Sequence, residues 1–215
     1  MYSGGGRALL VFALAAIFTL SFTISSFAIS PGESVSYHLP YGTGTAVFSV
    51  TKDNIAYKGT CCDPITPCAA SGTARVRNSV ATNTKEAKMI YDLAYRKGWL
   101  EPANVEVSAA SILGLDYETA ETLGHLVIDV SQISQVGATA WRNAQINRGL
   151  LPSTCDAVLN WYNNYNVSGI TVPEEFKMYY MDAGADQNFL MFGIEPRPKG
   201  FVKLKKISAD TSITG

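Results

Sequence analysis

Tyr57-Lys58-Gly59-Thr60-Cys61-Cys62-Asp63-Pro64 is the stretch on which the fold turns. Ile55 to Thr60 predicts a short strand that delivers the cysteine pair to its end. Pro64 and Pro67 stop any ladder there, because proline has no donor to give. Cys61 therefore stands at a strand end entering a rigid turn, where side chains can be aimed. Upstream, Val35, Tyr37 and Leu39 alternate within Ser34–Pro40, and Ala46, Phe48 and Val50 alternate after the Gly42/Gly44 turn. Both patterns read as half-buried strands, with Asp53-Asn54 as the next turn. Far downstream, Phe176, Met178 and Tyr180 alternate, Asp182 to Asp186 turns, and Phe189 to Ile194 is apolar on both faces. That hairpin predicts at least one central strand, headed by Gln187.

Helical signals fill the interval. Asn83 with Glu86 predicts a capped helix carrying Ala87, Ile90, Tyr91 and Ala94 and ending at Gly98. Asp116 predicts the start of a second, carrying Ala120, Leu123, Val127, Val130 and Ile133 and ending near Gly137. Ala138 to Asn147 reads as helix or loop. Ser153 with Asp156 predicts a cap for a helix bearing Val158, Trp161, Tyr162 and Tyr165. Strands, then helices, then strands make an α+β chain. The expected architecture is an antiparallel β-sandwich or barrel with an inserted helical subdomain. Its first and last strands must share a sheet if Cys61 and Gln187 are to meet.

The 215 residues carry 17 Lys and Arg against 18 Asp and Glu, a net charge of −1. That balance gives no footing for a nucleic-acid partner. No HExxH, no paired CxxC and no Gly-rich phosphate loop occurs, so no metal or cofactor is expected. Residues 1–28 read as a signal peptide: Arg7, an apolar run from Ala8, and Ser26-Phe27-Ala28 as a cleavage site. The rival reading of this run is an uncleaved membrane anchor; in both the body is exported and touches the membrane through this segment alone. Export makes Cys61, Cys62, Cys68 and Cys155 candidates for two disulfides. Adjacent Cys61 and Cys62 are poor partners for each other. Glu195-Pro196-Arg197-Pro198-Lys199-Gly200 reads as a stiff linker, and 201–215 as a new strand.

Four pieces in order, Cys61-Cys62-Asp63-Pro64, Met89-Ile90-Tyr91-Asp92-Leu93-Ala94-Tyr95, Val172-Pro173-Glu174-Glu175-Phe176-Lys177-Met178-Tyr179 and Gln187-Asn188-Phe189-Leu190, resemble the thioester domains of Gram-positive surface adhesins. The resemblance spans residues 34–195. It implies an internal thioester between Cys61 and Gln187, with Cys62 as the alternative to Cys61. It also implies covalent attachment to an amine on a host or neighbouring cell surface, by a monomeric single-turnover module that is not an enzyme. The strand after the linker resembles the start of a prealbumin-like stalk domain of the collagen-adhesin B type. There Lys206 would be the isopeptide lysine, and its partner is absent, so the chain reads as truncated. The family's T-Q-x-A-[IV]-W helix is replaced by Leu123-Gly124-His125-Leu126-Val127-Ile128, which makes His125 a candidate base.

One cysteine spent on a thioester leaves three, so a single disulfide from Cys155 to Cys62 or Cys68 becomes the expectation under that reading. Tyr57, Tyr179, Tyr180, Phe189 and Phe192 are candidates for shielding the bond from water, although alternation alone explains them as core. Two rivals stand beside the thioester. The chain can be a disulfide-stabilised secreted structural or non-covalent binding domain. It can also be a cysteine hydrolase with His125 as base, for which no third orienting residue is evident.

Overall fold

A computed structural model describes residues 29–38, 47–64, 70–101, 108–115, 122–185 and 187–197. The signal segment, Cys68, Asp116, the stalk strand and Lys206 lie outside the described residues. Six strands form: β1 (Ser34–His38), β2 (Val47–Lys52), β3 (Ile55–Cys61), β4 (Ser71–Ser79), β5 (Phe176–Asp182) and β6 (Phe189–Ile194). Between β4 and β5 run α1 (Lys85–Tyr91), which continues as a π-helical turn (Asp92–Arg96), then α2 (Ala110–Leu113), α3 (Leu123–Val136), α4 (Ala138–Asn147) and α5 (Pro152–Asn164). The strands close into an antiparallel barrel in the order β1-β2-β3-β6-β5-β4. The chain is thus α+β with a barrel. Closure satisfies every edge that an open sheet of this size would leave bare.

Alternation in β3 decides what the barrel holds. Tyr57 lies inside, and Gly59 leaves room inside for Phe48 and Phe189, whose rings are 4.7 Å apart. The intervening side chains face the helices: Lys58 bonds Glu101, and Thr60 Oγ1 lies 2.6 Å from Ser131 Oγ on α3. Ser131 spends its own proton on the Val127 carbonyl at 2.9 Å, so Thr60 is the donor in that pair. This buried contact seats α3 on β3. Ten of the fourteen residues of α3 are buried, so the helix runs between the barrel and α4 with most of its circumference covered. Its buried Gln132 is satisfied by Trp141 Nε1 at 3.2 Å and Gln145 Nε2 at 2.8 Å, both from α4.

At one end of the barrel Tyr57 and Tyr179 donate to the buried Glu195 carboxylate, at 3.0 and 2.5 Å. Tyr179 also meets the Ile29 backbone. The chain therefore enters and leaves the barrel at this end. Cys61 stands four residues on from Tyr57, about 13 Å away at strand rise, at the opposite end.

Several expectations needed correction. β4 went unread because only Ala74 and Val76 of its nine residues are buried. An alternation that thin is indistinguishable from loop. The first helix is capped by Thr84, whose side chain accepts from Ala87 N at 3.1 Å, one residue past the predicted Asn83. Thr122 caps α3. Ser153 does not cap α5, which starts at Pro152; proline suits that first turn because its missing donor is not needed there. Asp156 pairs instead with Arg142 on α4, at 2.6 and 3.1 Å. Ala138–Asn147 is helix, begun by Gly137 at φ +81°. β6 begins at Phe189, two residues after Gln187.

Candidate functional site

β3 and β6 are neighbours, as a meeting of Cys61 with Gln187 requires. Cys61 is paired with Phe189. One step further on, Cys62 N donates to the Asn188 carbonyl at 3.1 Å. The ladder therefore extends past β6 toward Gln187, which stands opposite Asp63. Residues two apart on one strand share a face, so Cys61, Phe189 and Gln187 lie on the same face by register. Diagonal neighbours across an antiparallel pair are about 7–8 Å apart, within reach of a long side chain. Gln187 uses that reach: its Nε2 donates to the Asp63 carbonyl, inside the cysteine turn. Gln187 is 5% exposed and Cys61 1% exposed.

Cys62 belongs to the other face. It lies beside Tyr180, whose pKa is raised by burial first and then by the nearby Cys62 and Asp63. Burial, followed by the Asp63 charge, pushes the Cys62 thiol far up, so it stays protonated and weakly nucleophilic. No disulfide joins Cys61, Cys62 and Cys155 to one another. The Cys155–Cys62 bridge is thus not formed, since Cys155 sits in α5 and α5 packs chiefly on α4.

The turn that carries Gln187 is built by local bonds. Asp182 Oδ1 accepts from Gly184 N at 2.9 Å, with Gly184 at φ +73°. Asn188 Oδ1 accepts from Ala183 N at 3.3 Å. The cysteine turn is held from the helical side, where Arg148, just past α4, donates from Nη1 to the Pro64 carbonyl at 3.0 Å. Neither Arg148 nor the tethering role of Asn188 was legible in the sequence. Arg148 is 84 residues from Pro64, and no local pattern announces a bond to a backbone carbonyl.

The aromatic candidates divide. Phe189 stands opposite Cys61 in the ladder, and its ring packs on Phe48 and Tyr37 inside the barrel. Tyr57 and Tyr179 are committed to Glu195 at the far end, and Phe192 turns outward to Tyr95 and Phe176. Only Phe189 and Tyr180 of the five adjoin the cysteine turn. His125 lies in the first turn of α3 with Nδ1 3.8 Å from the Asp129 carboxylate; its side chain is 39% exposed and that of Asp129 1%. It precedes the Ser131–Thr60 contact by six residues, about 9 Å along the helix axis.

Among the described residues no group of three or more His, Cys, Asp or Glu is arranged to hold a metal ion. Among them, too, no helix is long and apolar enough to cross a membrane. No protein-family model, curated protein or solved structure matches this chain.

Proposed function

We propose that this chain is an exported adhesin module whose Cys61 and Gln187 form an internal thioester and capture an amine on another surface. The observation that carries the reading is the buried carboxamide of Gln187 lying against the Cys61–Pro64 turn, on the face that Cys61 shares by register. The Cys61 sulfur adds to the Gln187 carbonyl carbon, and ammonia leaves with the proton from the thiol. The carbonyl of the thioester then accepts an incoming amine. The new C–N bond forms as the C–S bond breaks, and Cys61 departs as thiolate to be reprotonated. One bond is made per molecule, so the module acts once. Phe189 and the packed barrel behind it support the dry environment such a bond needs. The helices between β4 and β5 would form the inserted subdomain of the resembled family, and residues 201–215 the start of a stalk.

Intact-mass measurement on protein beginning near residue 29 tests this. The expected mass is lower than the sequence mass by one ammonia, and methylamine adds to it whole, leaving a chain heavier than the sequence mass by one CH2 group. Cys61→Ala abolishes both effects while Cys62→Ala keeps them. A full-mass Cys62→Ala protein that takes up no methylamine sinks the proposal.

A further inference from the structure

We propose that a cleft in the helical layer, remote in sequence from Cys61 and Gln187, is a binding site for a small anionic saccharide. The cleft holds about 610 Å³, within the range of small-ligand sites. Its walls are the π-helical turn, α2, and α5 with the loop that follows. The π turn exists because Lys97 N bonds Asp92 O at 2.9 Å, five residues back. Such turns recur at functional sites, since the widened backbone is otherwise disfavoured.

Asp92 is the hub of the cleft. Its carboxylate is buried, and it accepts from Tyr165 Oη at 2.5 Å, pairs with Arg96 at 2.8 Å and stands 3.5 Å from Lys97. Three donors on one carboxylate leave it little capacity for a cation. Its work is to hold Arg96 and Lys97 in place, and both reach solvent, with side chains 53% and 42% exposed. Two cations against one carboxylate leave one positive charge over in the cleft. Lys97 lies 5.3 Å from the Trp99 ring centre and 4.9 Å from that of Tyr165, which fixes the stem that carries this charge.

The rest of the lining selects the class of anion. Trp161 offers an indole stacked on Trp99 at 6.2 Å and set nearly perpendicular to Tyr165 at 5.4 Å. Asn164 Nδ2 donates to Asn160 Oδ1 at 3.0 Å, which leaves the Asn160 amide protons and the Asn164 carbonyl for a ligand. A sugar ring presents an apolar face for the indole and hydroxyls for the amides. A carboxylate or sulfate on it meets Arg96 and Lys97. An acidic peptide fits less well. Its carboxylates meet Arg96 and Lys97, as acidic motifs meet arginine clusters, but a Glu-rich chain brings no ring face for Trp161 and no hydroxyls for Asn160 and Asn164. The inference does not rest on the thioester.

The test is calorimetric titration of the chain with 3′-sialyllactose and with a glucuronate disaccharide. Lactose and a short Glu-only peptide serve as comparators. The expected result is saturable binding of at least one acidic sugar with a Kd on the order of 1 mM or tighter. Lactose and the peptide bind at least tenfold more weakly. Arg96→Gln, at an exposed side chain, lowers affinity for the acidic sugar at least tenfold and leaves its residual affinity close to that for lactose. Trp161→Ala removes binding to both sugars. The proposal is overturned if neither acidic sugar binds, if lactose or the peptide binds equally well, or if Arg96→Gln changes nothing. Mass deficit and methylamine uptake are unaffected by either variant, so failure here is separable from failure of the thioester.

Discussion

Gly193→Ala is the sharpest test of how closely β6 packs on β3 inside the barrel. Gly193 lies in β6, and a Cβ there would point at the ring of Tyr57 in β3. The new methyl would stand 3.0 Å from Cε1 and 3.1 Å from Cγ, and closer still to Cδ1. Carbon atoms pack at about 3.5–4.0 Å, so the ring must move by more than half an ångström. It has little freedom to do so: Tyr57 is 2% exposed, and its hydroxyl is bound to Glu195 at 3.0 Å. Overpacking of a tight core costs about 1–3 kcal/mol. A ring that swings away also gives up a buried bond to a carboxylate, worth about 1.5–3 kcal/mol. The expected loss is therefore about 2.5–6 kcal/mol in urea unfolding, read as a lower midpoint with the slope unchanged. Because the cost comes from the ring, Gly193→Ala made in a Tyr57→Leu background costs at least about 1 kcal/mol less than in the wild type, a coupling well outside additivity error. A loss under about 0.5 kcal/mol, or an equal loss in both backgrounds, refutes the argument.

Gln132→Ala leaves Trp141 Nε1 and Gln145 Nε2 buried with their acceptor gone. The expected destabilisation is about 2–4 kcal/mol, measured by the same unfolding assay; Gln132→Glu, which keeps an acceptor oxygen but buries a charge, does not restore wild-type stability. Arg148→Ala removes the bond to the Pro64 carbonyl and costs about 1 kcal/mol or less in stability. If the thioester forms, a larger fraction of this variant carries full sequence mass after purification, because the cysteine turn is held less firmly. Asp182 has its pKa lowered, first by the Gly184 backbone bond and then by Arg77. A carboxyl depressed in the folded state contributes stability above its unfolded pKa and loses that contribution as pH falls through the folded value. Asp182→Asn therefore reduces stability at neutral pH and by less at acid pH below the folded pKa, as followed by unfolding midpoints from neutral down into that range.

Much of the barrel is decided by local chemistry that any reader of the chain meets. Asp53 and Asn54 adopt φ of +50° and +63°, the left-handed pair that a two-residue hairpin turn demands and that Asn and Asp tolerate best. β2, β3 and β5 follow from alternation, and β6 from a run that is apolar on both faces. The pairing of β3 with β6 was needed for the site and was readable only as a condition, since nothing local in either strand names its partner. β4 was invisible because its partners β1 and β5 lie far away in the chain and supply most of what makes it a strand.

Residue identity alone determined the α+β layering, the cysteine turn ended by Pro64 and the two-faced apolar hairpin that ends the described chain, because periodicity and proline act within a few residues. Tertiary structure alone decided that Gln187 comes to that turn, that Cys62 is turned from the Cys61 face, and that Arg148 holds Pro64. The same holds for the cleft that gathers Asp92, Arg96, Trp161 and Asn160. Those outcomes depend on register and on helix seating, and both are set by contacts such as Thr60 with Ser131 between segments with no local signal for each other.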